Sequence, residues 1–317
     1  MNISFFGVRD SEYPLLTSSL VSQIPNAHVR VHREHLTPDI KLENFDDEVI
    51  SVFVDCIVSK EVIGRFPNLK LIVARSTGYD NIDSAECQKR NIVVCTVPSY
   101  GEHTVAEFTF ALILALSRKV FDCVARVKST HDFTKDGLTG FDLCGKTLGI
   151  IGTGKIGQHV ARMAQGFEMR VVAYDTFPRN ELALQLGFTY VPLDELLARS
   201  DVVTLHVPHI PETHHLMNAE NFTRLKAGAY IINTSRGGVL DTIALKAGLM
   251  SGHVGGAALD VLEEESGTID QELLNIPNLL ITPHTAFNSR EAIGRILATT
   301  IENIIAFQKG TPQNTVH

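Results

Sequence analysis

The sequence predicts an α/β fold arranged as two doubly wound parallel-sheet domains. Short β-branched runs alternate with amphipathic stretches almost from end to end, which is the pattern of parallel strands joined by crossover helices. The chain has 317 residues, more than one core usually supports. The alternation also comes in two blocks, separated by a long helical pattern and a loop-like segment.

In the first block the expected strands are ISFFGV, HVRVH, VISVFVD, LKLIVA and NIVVCTV, enough for a small doubly wound sheet. After Pro98 the stretch GEHTVAEFTFALILALSRKVFDCVARV reads as one helix, longer than the usual three turns and with a broad apolar face. Such a helix often packs between domains or subunits. TKDGLTGFDLCG, from Thr134 to Gly145, is rich in Gly and Asp and reads as a loop. The second block offers KTLGIIG, MRVVAYD, GFTYV, DVVTLHV, AYIIN, VGGAALDV and NLLITP, a larger sheet. A last helix, near Arg290 to Gln308, lies beyond the final strand, so the C-terminus is expected to return to the first domain. The expected domains are residues 1–99 with 288–317, and residues 100–287.

A net charge of -8 argues against nucleic acid as the main partner and requires a local basic site for any acidic small substrate. The five cysteines, Cys56, Cys87, Cys95, Cys123 and Cys144, lack metal-type spacing and read as reduced thiols of a cytoplasmic protein, so no metal site is expected. MNISFFGVRD has no basic leader region, and FTFALILALS is about half a membrane span in length. No membrane association is expected.

LGIIGTGKIGQHVARMA carries G-x-G-x-x-G as Gly152, Gly154 and Gly157, between a strand and a helix. Gly152 permits the tight turn, Gly154 lets backbone amides approach a pyrophosphate, and Gly157 allows close helix–strand packing at the positive helix end. Asp175 closes the next strand, where a carboxylate would bond the adenosine ribose. A 2′-phosphate would meet like charge there, which predicts NAD over NADP unless Arg179 reaches that phosphate.

Polar residues recur at the carboxyl ends of the later strands, where open parallel sheets bind ligands. Arg236 sits on the glycine-flanked turn after AYIIN; its planar fork can grip a carboxylate at two points. VGGAALDV runs into an acidic cluster, Asp260 then Glu263, Glu264 and Glu265. His284 follows the proline that ends NLLITP. An arginine, a carboxylate and a histidine at one sheet edge suit reduction of a 2-keto acid: the arginine binds the carboxylate, the histidine exchanges a proton, and hydride comes from the nicotinamide.

These motifs resemble the D-isomer-specific 2-hydroxyacid dehydrogenase family over nearly the whole chain. IIGTGKIG, the segment Leu205 to Pro208, Asn233 to Asp241, Ala258 to Glu265 and Thr282 to Phe287 resemble family signatures and occur in family order. The resemblance implies a flavodoxin-like substrate domain and a Rossmann NAD-binding domain, with the active site in the cleft between them. It selects Glu265 from the acidic cluster as the catalytic carboxylate, beside Arg236 and His284. It places Lys155, Ile156, Asp175, Val207, Pro208, Thr213, Thr234, Ser235, Arg236, Asp260 and His284 with the glycines in the cofactor site. For substrate it implies the loop ARSTGYDNID near Thr77 and Gly78, together with Tyr100, Arg236 and Phe287.

Tyr100 and PHTAF are closest to the D-lactate dehydrogenase-like branch, but Phe53 stands where that branch carries tyrosine, which leaves the substrate side chain open. A hydroxypyruvate or glyoxylate reductase is the alternative enzyme, and a non-enzymatic NAD-sensing binding protein the alternative class. A phosphoglycerate dehydrogenase with a regulatory domain is disfavoured by chain length, and a formate dehydrogenase by the Arg, Glu and His set. A homodimer is expected from the resemblance and the long helix.

Overall fold

The computed structural model describes residues 1–17, 21–24, 26–265 and 269–316. It divides into two compact units, Met1–Tyr100 with Asn288–His317, and Gly101–Phe287.

The first unit is built on β1 (Asn2–Phe5), β2 (His28–Val31), β3 (Val49–Val52), β4 (Leu71–Ala74) and β5 (Val93–Cys95), all parallel, in the spatial order β5-β4-β3-β1-β2. Alternation along each buried strand feeds two cores, because successive side chains leave opposite faces. Leu71 and Val73 pack with Ile3 and Phe5, whereas Ile72 and Ala74 pack with Ile50, Val52 and Phe66. The helix Arg290–Gln308 returns to the first of these cores through Leu297, Ile301 and Ile304, and its N-terminus is capped by Ser289 Oγ accepting from the Ala292 amide at 3.1 Å. A thirteenth strand, Thr315–Val316, pairs antiparallel with β5. Two residues after a left-handed Asn314 carry no strand pattern of their own, so this pairing exists only because β5 offers an open edge.

The second unit contains β6 (Thr147–Ile151), β7 (Arg170–Tyr174), β8 (Thr189–Tyr190), β9 (Val202–Leu205), β10 (Ala229–Asn233), β11 (Val254–Leu259) and β12 (Leu279–Ile281). They form one parallel sheet ordered β12-β11-β10-β9-β6-β7-β8. The order reverses between β6 and β9, the place where such sheets open a crevice for a ligand.

The long helix expected after Pro98 is interrupted. Glu102–Ser117 is one helix, Lys119 is left-handed at φ 51°, and Val120–Ala125 begins another. The cause lies far away in sequence: the Phe141 amide donates to the Ser117 carbonyl at 2.8 Å. Gly140 passes so close to that carbonyl that a Cβ would lie 2.1 Å from it. The first helix keeps its apolar stripe, with Ala106, Phe110, Ile113 and Leu116 buried in the core of its own unit.

Among the described residues no helix is long and apolar enough to cross a membrane, and no group of His, Cys, Asp and Glu side chains is arranged to hold a metal ion. Cys56, Cys87 and Cys95 are buried free thiols, Cys123 is partly buried and Cys144 is exposed.

Candidate active site

The carboxyl edge of the second sheet carries the glycine turn. Gly152 adopts φ +95°, and a Cβ there would lie 2.5 Å from the His206 carbonyl. A Cβ on Gly157 would lie 2.1 Å from the Gly152 carbonyl, so helix Lys155–Gly166 can start close to β6 only with glycine at that position. A Cβ on Gly154, by contrast, would meet nothing within 4 Å, and this helix has no side-chain cap. Its first amides therefore face an open approach, the arrangement that receives a phosphate. Lys155 opens the helix with its ammonium 3.3 Å from Glu102, and Ile156 packs on the core beneath.

Asp175 is anchored rather than free at the end of β7. One carboxylate oxygen accepts from the Thr153 amide at 2.7 Å and the Thr153 hydroxyl at 2.8 Å, and the other accepts from the Phe177 amide at 2.9 Å. Burial opposes its ionisation, but these hydrogen bonds and the charge of Arg179 outweigh burial and hold its pKa below the usual value. Arg179 itself donates to the Thr153 carbonyl at 2.6 Å, and Tyr190 shares a 2.8 Å hydrogen bond with the Thr153 hydroxyl. A carboxylate fixed beside a glycine cradle fits the ribose and pyrophosphate of a dinucleotide.

After β9 comes His206, whose imidazole is pushed down to about 3 by burial and so adds no charge to this edge at neutral pH. Val207 and Pro208 follow, and the Thr213 hydroxyl donates back to the Pro208 carbonyl at 2.6 Å while accepting from the Ile210 amide at 2.9 Å. Thr213 thus shapes the Val207–Pro208 loop.

The turn after β10 is organised by Asn233, which the sequence reading did not single out. Its side chain accepts from the Ser235 amide at 3.0 Å and the Ser235 hydroxyl at 2.8 Å, and donates to the Arg236 carbonyl at 2.9 Å. An Asn at a strand end just before a tight turn was the available signal. Thr234 is tied to the helix Glu102–Ser117 through a 2.9 Å hydroxyl contact with Thr109. Arg236 is half-buried and donates to the Ser235 carbonyl at 2.8 Å.

Asp260 is 1% exposed and holds the last loop in place. One oxygen accepts from the Thr282 hydroxyl at 2.5 Å and the Thr285 amide at 2.9 Å, and the other from the Ala286 amide at 2.8 Å. Burial raises its pKa despite these donors and the nearby His284. His284 lies between them in left-handed backbone at φ 47°, a strained conformation that persists because its amide is also held by the Asp260 carbonyl at 2.8 Å.

Its side chain meets the acidic segment. His284 Nδ1 is 2.8 Å from Glu265 Oε2. Burial works against the Glu265 charge, but the hydrogen bond and charge of His284, the Leu262 amide and the charge of Arg236 together depress its pKa. The neighbouring Glu263 has a different task, accepting from the Thr242 amide and hydroxyl at 2.9 and 2.6 Å and pairing with His215 at 2.8 Å. The geometry thus separates two members of a charge run that composition leaves alike. Phe287 is buried, its ring centroid 6.5 Å from that of His284.

In the other unit, the Thr77 hydroxyl donates to the Val97 carbonyl at 2.9 Å, the Gly78 carbonyl accepts from Ser76 at 2.6 Å, and the Tyr100 carbonyl accepts from Arg295 at 2.7 Å. These three lie at or beyond the carboxyl ends of β4 and β5.

Comparison with known proteins gives these features a context. Residues 110–286 match the description "D-isomer specific 2-hydroxyacid dehydrogenase, NAD binding domain". The chain belongs to this family. As a D-2-hydroxyacid dehydrogenase it is an NAD-dependent oxidoreductase, and its glycine cradle and anchored Asp175 lie within the matched segment. The dehydrogenase is 40% identical over 278 residues to a glyoxylate reductase of Korarchaeum cryptofilum, covering 86% of this chain and 82% of that protein. Among solved structures it is similar to the apo D-lactate dehydrogenase of Escherichia coli, at 32% identity and a TM-score of 0.90, with both chains fully covered. It is also similar to D-lactate dehydrogenase of Aquifex aeolicus complexed with NAD and lactic acid, at 36% identity and a TM-score of 0.86, covering 98% and 96% of the two chains.

Proposed function

We propose that this D-2-hydroxyacid dehydrogenase reduces a small 2-keto acid, in the manner of the D-lactate dehydrogenases, with His284 as proton donor, Glu265 as its partner and Arg236 as the carboxylate grip. The observation that carries the reading is the 2.8 Å contact between His284 Nδ1 and Glu265. With Nδ1 committed to the carboxylate, Nε2 is the ring atom left to deliver a proton to the developing alkoxide. The bound dinucleotide supplies the hydride.

Arg236 sets the substrate orientation through two-point contact with its carboxylate, and its charge also favours an ionised Glu265. Asp260 keeps His284 in its strained backbone conformation, so the proton donor is placed before substrate arrives. Gly152, Gly154, Lys155, Ile156 and Gly157 receive the pyrophosphate. Asp175 takes the ribose, Val207, Pro208 and Thr213 border the adenine side, and Thr234, Ser235 and Asp260 border the nicotinamide. Thr77, Gly78 and Tyr100 are the further substrate-binding residues of the proposal, and Phe287 is an apolar wall beside His284.

The deciding experiment follows NADH oxidation by the purified protein against pyruvate, glyoxylate, hydroxypyruvate and longer 2-keto acids. Turnover with at least one is expected, and tight NADH binding without any turnover would favour an NAD-sensing role instead. The relatives named glyoxylate reductase make glyoxylate the second substrate to test.

Because the Asp175 carboxylate stays ionised, a 2′-phosphate placed beside it costs more than a kcal/mol, so kcat/KM with NADPH should be at least about tenfold below that with NADH. The ratio of the two efficiencies reads this directly, and a preference for NADPH would mean that Arg179 leaves Thr153 to bind the phosphate.

A cytoplasmic homodimer completes the proposal. Val120, Phe121, Val124, Val127 and Phe133 are exposed along and just after the helix Val120–Ala125, an apolar stripe suited to a second copy. Solution mass should be twice the 34.8 kDa of the chain.

A further inference from the structure

The loop after β9 is fastened by a row of imidazoles outside the proton-transfer pair. His209 follows Pro208, and His214 and His215 follow Thr213, whose hydroxyl shapes the same loop. His209 Nε2 lies 3.1 Å from His214 Nδ1, the His214 ring stacks on His215 with centroids 4.0 Å apart, and His215 Nε2 lies 2.8 Å from Glu263 Oε2.

The two ends of the row belong to different segments. The backbone after His214 is docked on the turn that follows Arg236: the His215 amide donates to the Gly238 carbonyl at 2.8 Å, the Met217 amide donates to the Val239 carbonyl at 3.0 Å, and Met217 pairs with Leu240 as a parallel bridge. His209 reaches the same turn through its ring. A Cβ on Gly238 would lie 2.6 Å from His209 Cε1 and Nε2, so the imidazole occupies space that glycine leaves open. Seated on Gly238 and bonded to His214, it joins the Val207–Pro208 loop to a part of the unit already fixed by backbone hydrogen bonds. An Nε2 to Nδ1 contact holds a single hydrogen, with one ring donating and the other accepting. It survives one positive charge on the pair but not two, because two facing imidazolium donors have no acceptor between them and repel.

We propose that His209 is a positioning residue for the adenine half of the cofactor, and that cofactor affinity falls as the His209–His214 pair takes up its second proton. The inference rests on the placement of Val207, Pro208 and Thr213 at the adenine side and not on turnover of any keto acid. The charged and titratable groups around the pair are Glu212 on its own loop, His215 and, through it, Glu263, Arg236 two residues before Gly238, and Asp241, which is committed to the Ile243 and Ala244 amides at 2.9 and 3.0 Å. Burial works against the Glu263 charge, but hydrogen bonds from Thr242 and His215 hold its pKa below the usual carboxylate value. Asp175 is likewise depressed, and burial pushes His206 down to about 3. These three keep their charge between about pH 5.5 and 8, the range in which an ordinary imidazole changes its own.

The test measures binding of NADH by its fluorescence and of ADP-ribose, which lacks the nicotinamide, by calorimetry. It compares wild type, His209→Ala, His209→Gln, Gly238→Ala and the double variant carrying both alanines. At about pH 7.5 His209→Ala should bind both ligands roughly three- to tenfold more weakly, the size of one lost hydrogen bond with its packing. His209→Gln, whose amide can donate or accept toward His214, should recover most of that loss. Gly238→Ala, which displaces the ring, should reproduce the loss, and the double variant should add nothing to it. Between about pH 7.5 and 5.5 wild type should lose a further fivefold or so in ADP-ribose affinity, and His209→Gln less than half as much. ADP-ribose affinity equal in wild type and His209→Ala at unchanged Tm, or parallel pH profiles for wild type and His209→Gln, overturns the proposal. Should His209→Ala fail to fold, the His209→Gln profile decides. A wild type that binds NADH and reduces none of the keto acids refutes the enzymatic reading and leaves this comparison intact, because its readout is binding.

Discussion

Replacing His284 with glutamine is expected to lower kcat for keto-acid reduction by about 10²- to 10⁴-fold while leaving the affinity for NADH within a few fold. The amide keeps polarity and approximate size but cannot transfer a proton from the position Nε2 occupies. The dinucleotide contacts assigned to Gly152, Gly154 and Asp175 lie on other loops, so binding of the reduced cofactor, followed by its fluorescence, should persist. Similar kcat values in the two proteins would remove His284 from proton transfer.

The same pair fixes the pH behaviour. Reduction requires a protonated His284, so the rate should fall as pH rises through the ionisation of the pair, and oxidation of the hydroxy acid should rise over the same range. Glu265 has a depressed pKa, hence it is ionised through the neutral range and its own protonation belongs to the acid side, below the ordinary carboxylate value. Removing that carboxylate in Glu265→Gln should lower kcat for reduction, because the ring loses the 2.8 Å partner that orients Nδ1, while NADH affinity stays within a few fold. A kcat within twofold of wild type would remove Glu265 from the site.

The second large effect is expected at Arg236. Substitution by lysine keeps the charge but replaces a planar fork with a point donor, and kcat/KM for the keto acid should fall by about 10²-fold or more. KM and kcat should both suffer, because a carboxylate held at one point lets the carbonyl swing away from the proton donor. Asn233 clamps the Arg236 turn through three hydrogen bonds, so the backbone there should survive the change. Unaltered efficiency across the keto-acid panel would place the carboxylate grip elsewhere.

Much of this molecule was legible before folding was considered. Twelve of the strands follow from β-branched runs, because a parallel strand buried on both faces must be apolar at nearly every position. The nucleotide turn was legible because Gly152 and Gly157 occupy places where a Cβ would collide with backbone. The helix Arg290–Gln308 was legible as a helical pattern beyond the final strand.

Other features belong to contacts distant in sequence. The break at Lys119 depends on Phe141 and Gly140 reaching the Ser117 carbonyl, and the strand Thr315–Val316 depends on the open edge of β5. Local propensity contains neither partner.

The site divides in the same way. Sequence alone determined which residue types gather at the strand ends, since motif and period fix Arg236, Asp260 and His284 to the same edge of a parallel sheet. Tertiary structure decided how the carboxylates share the work: Glu263 pairs with His215 and Thr242, Glu265 with His284, and Asp260 with the amides that hold the His284 loop. Four carboxylates within six residues are alike in composition, and only the donors that reach each one, from segments up to 48 residues away, make their chemistry different.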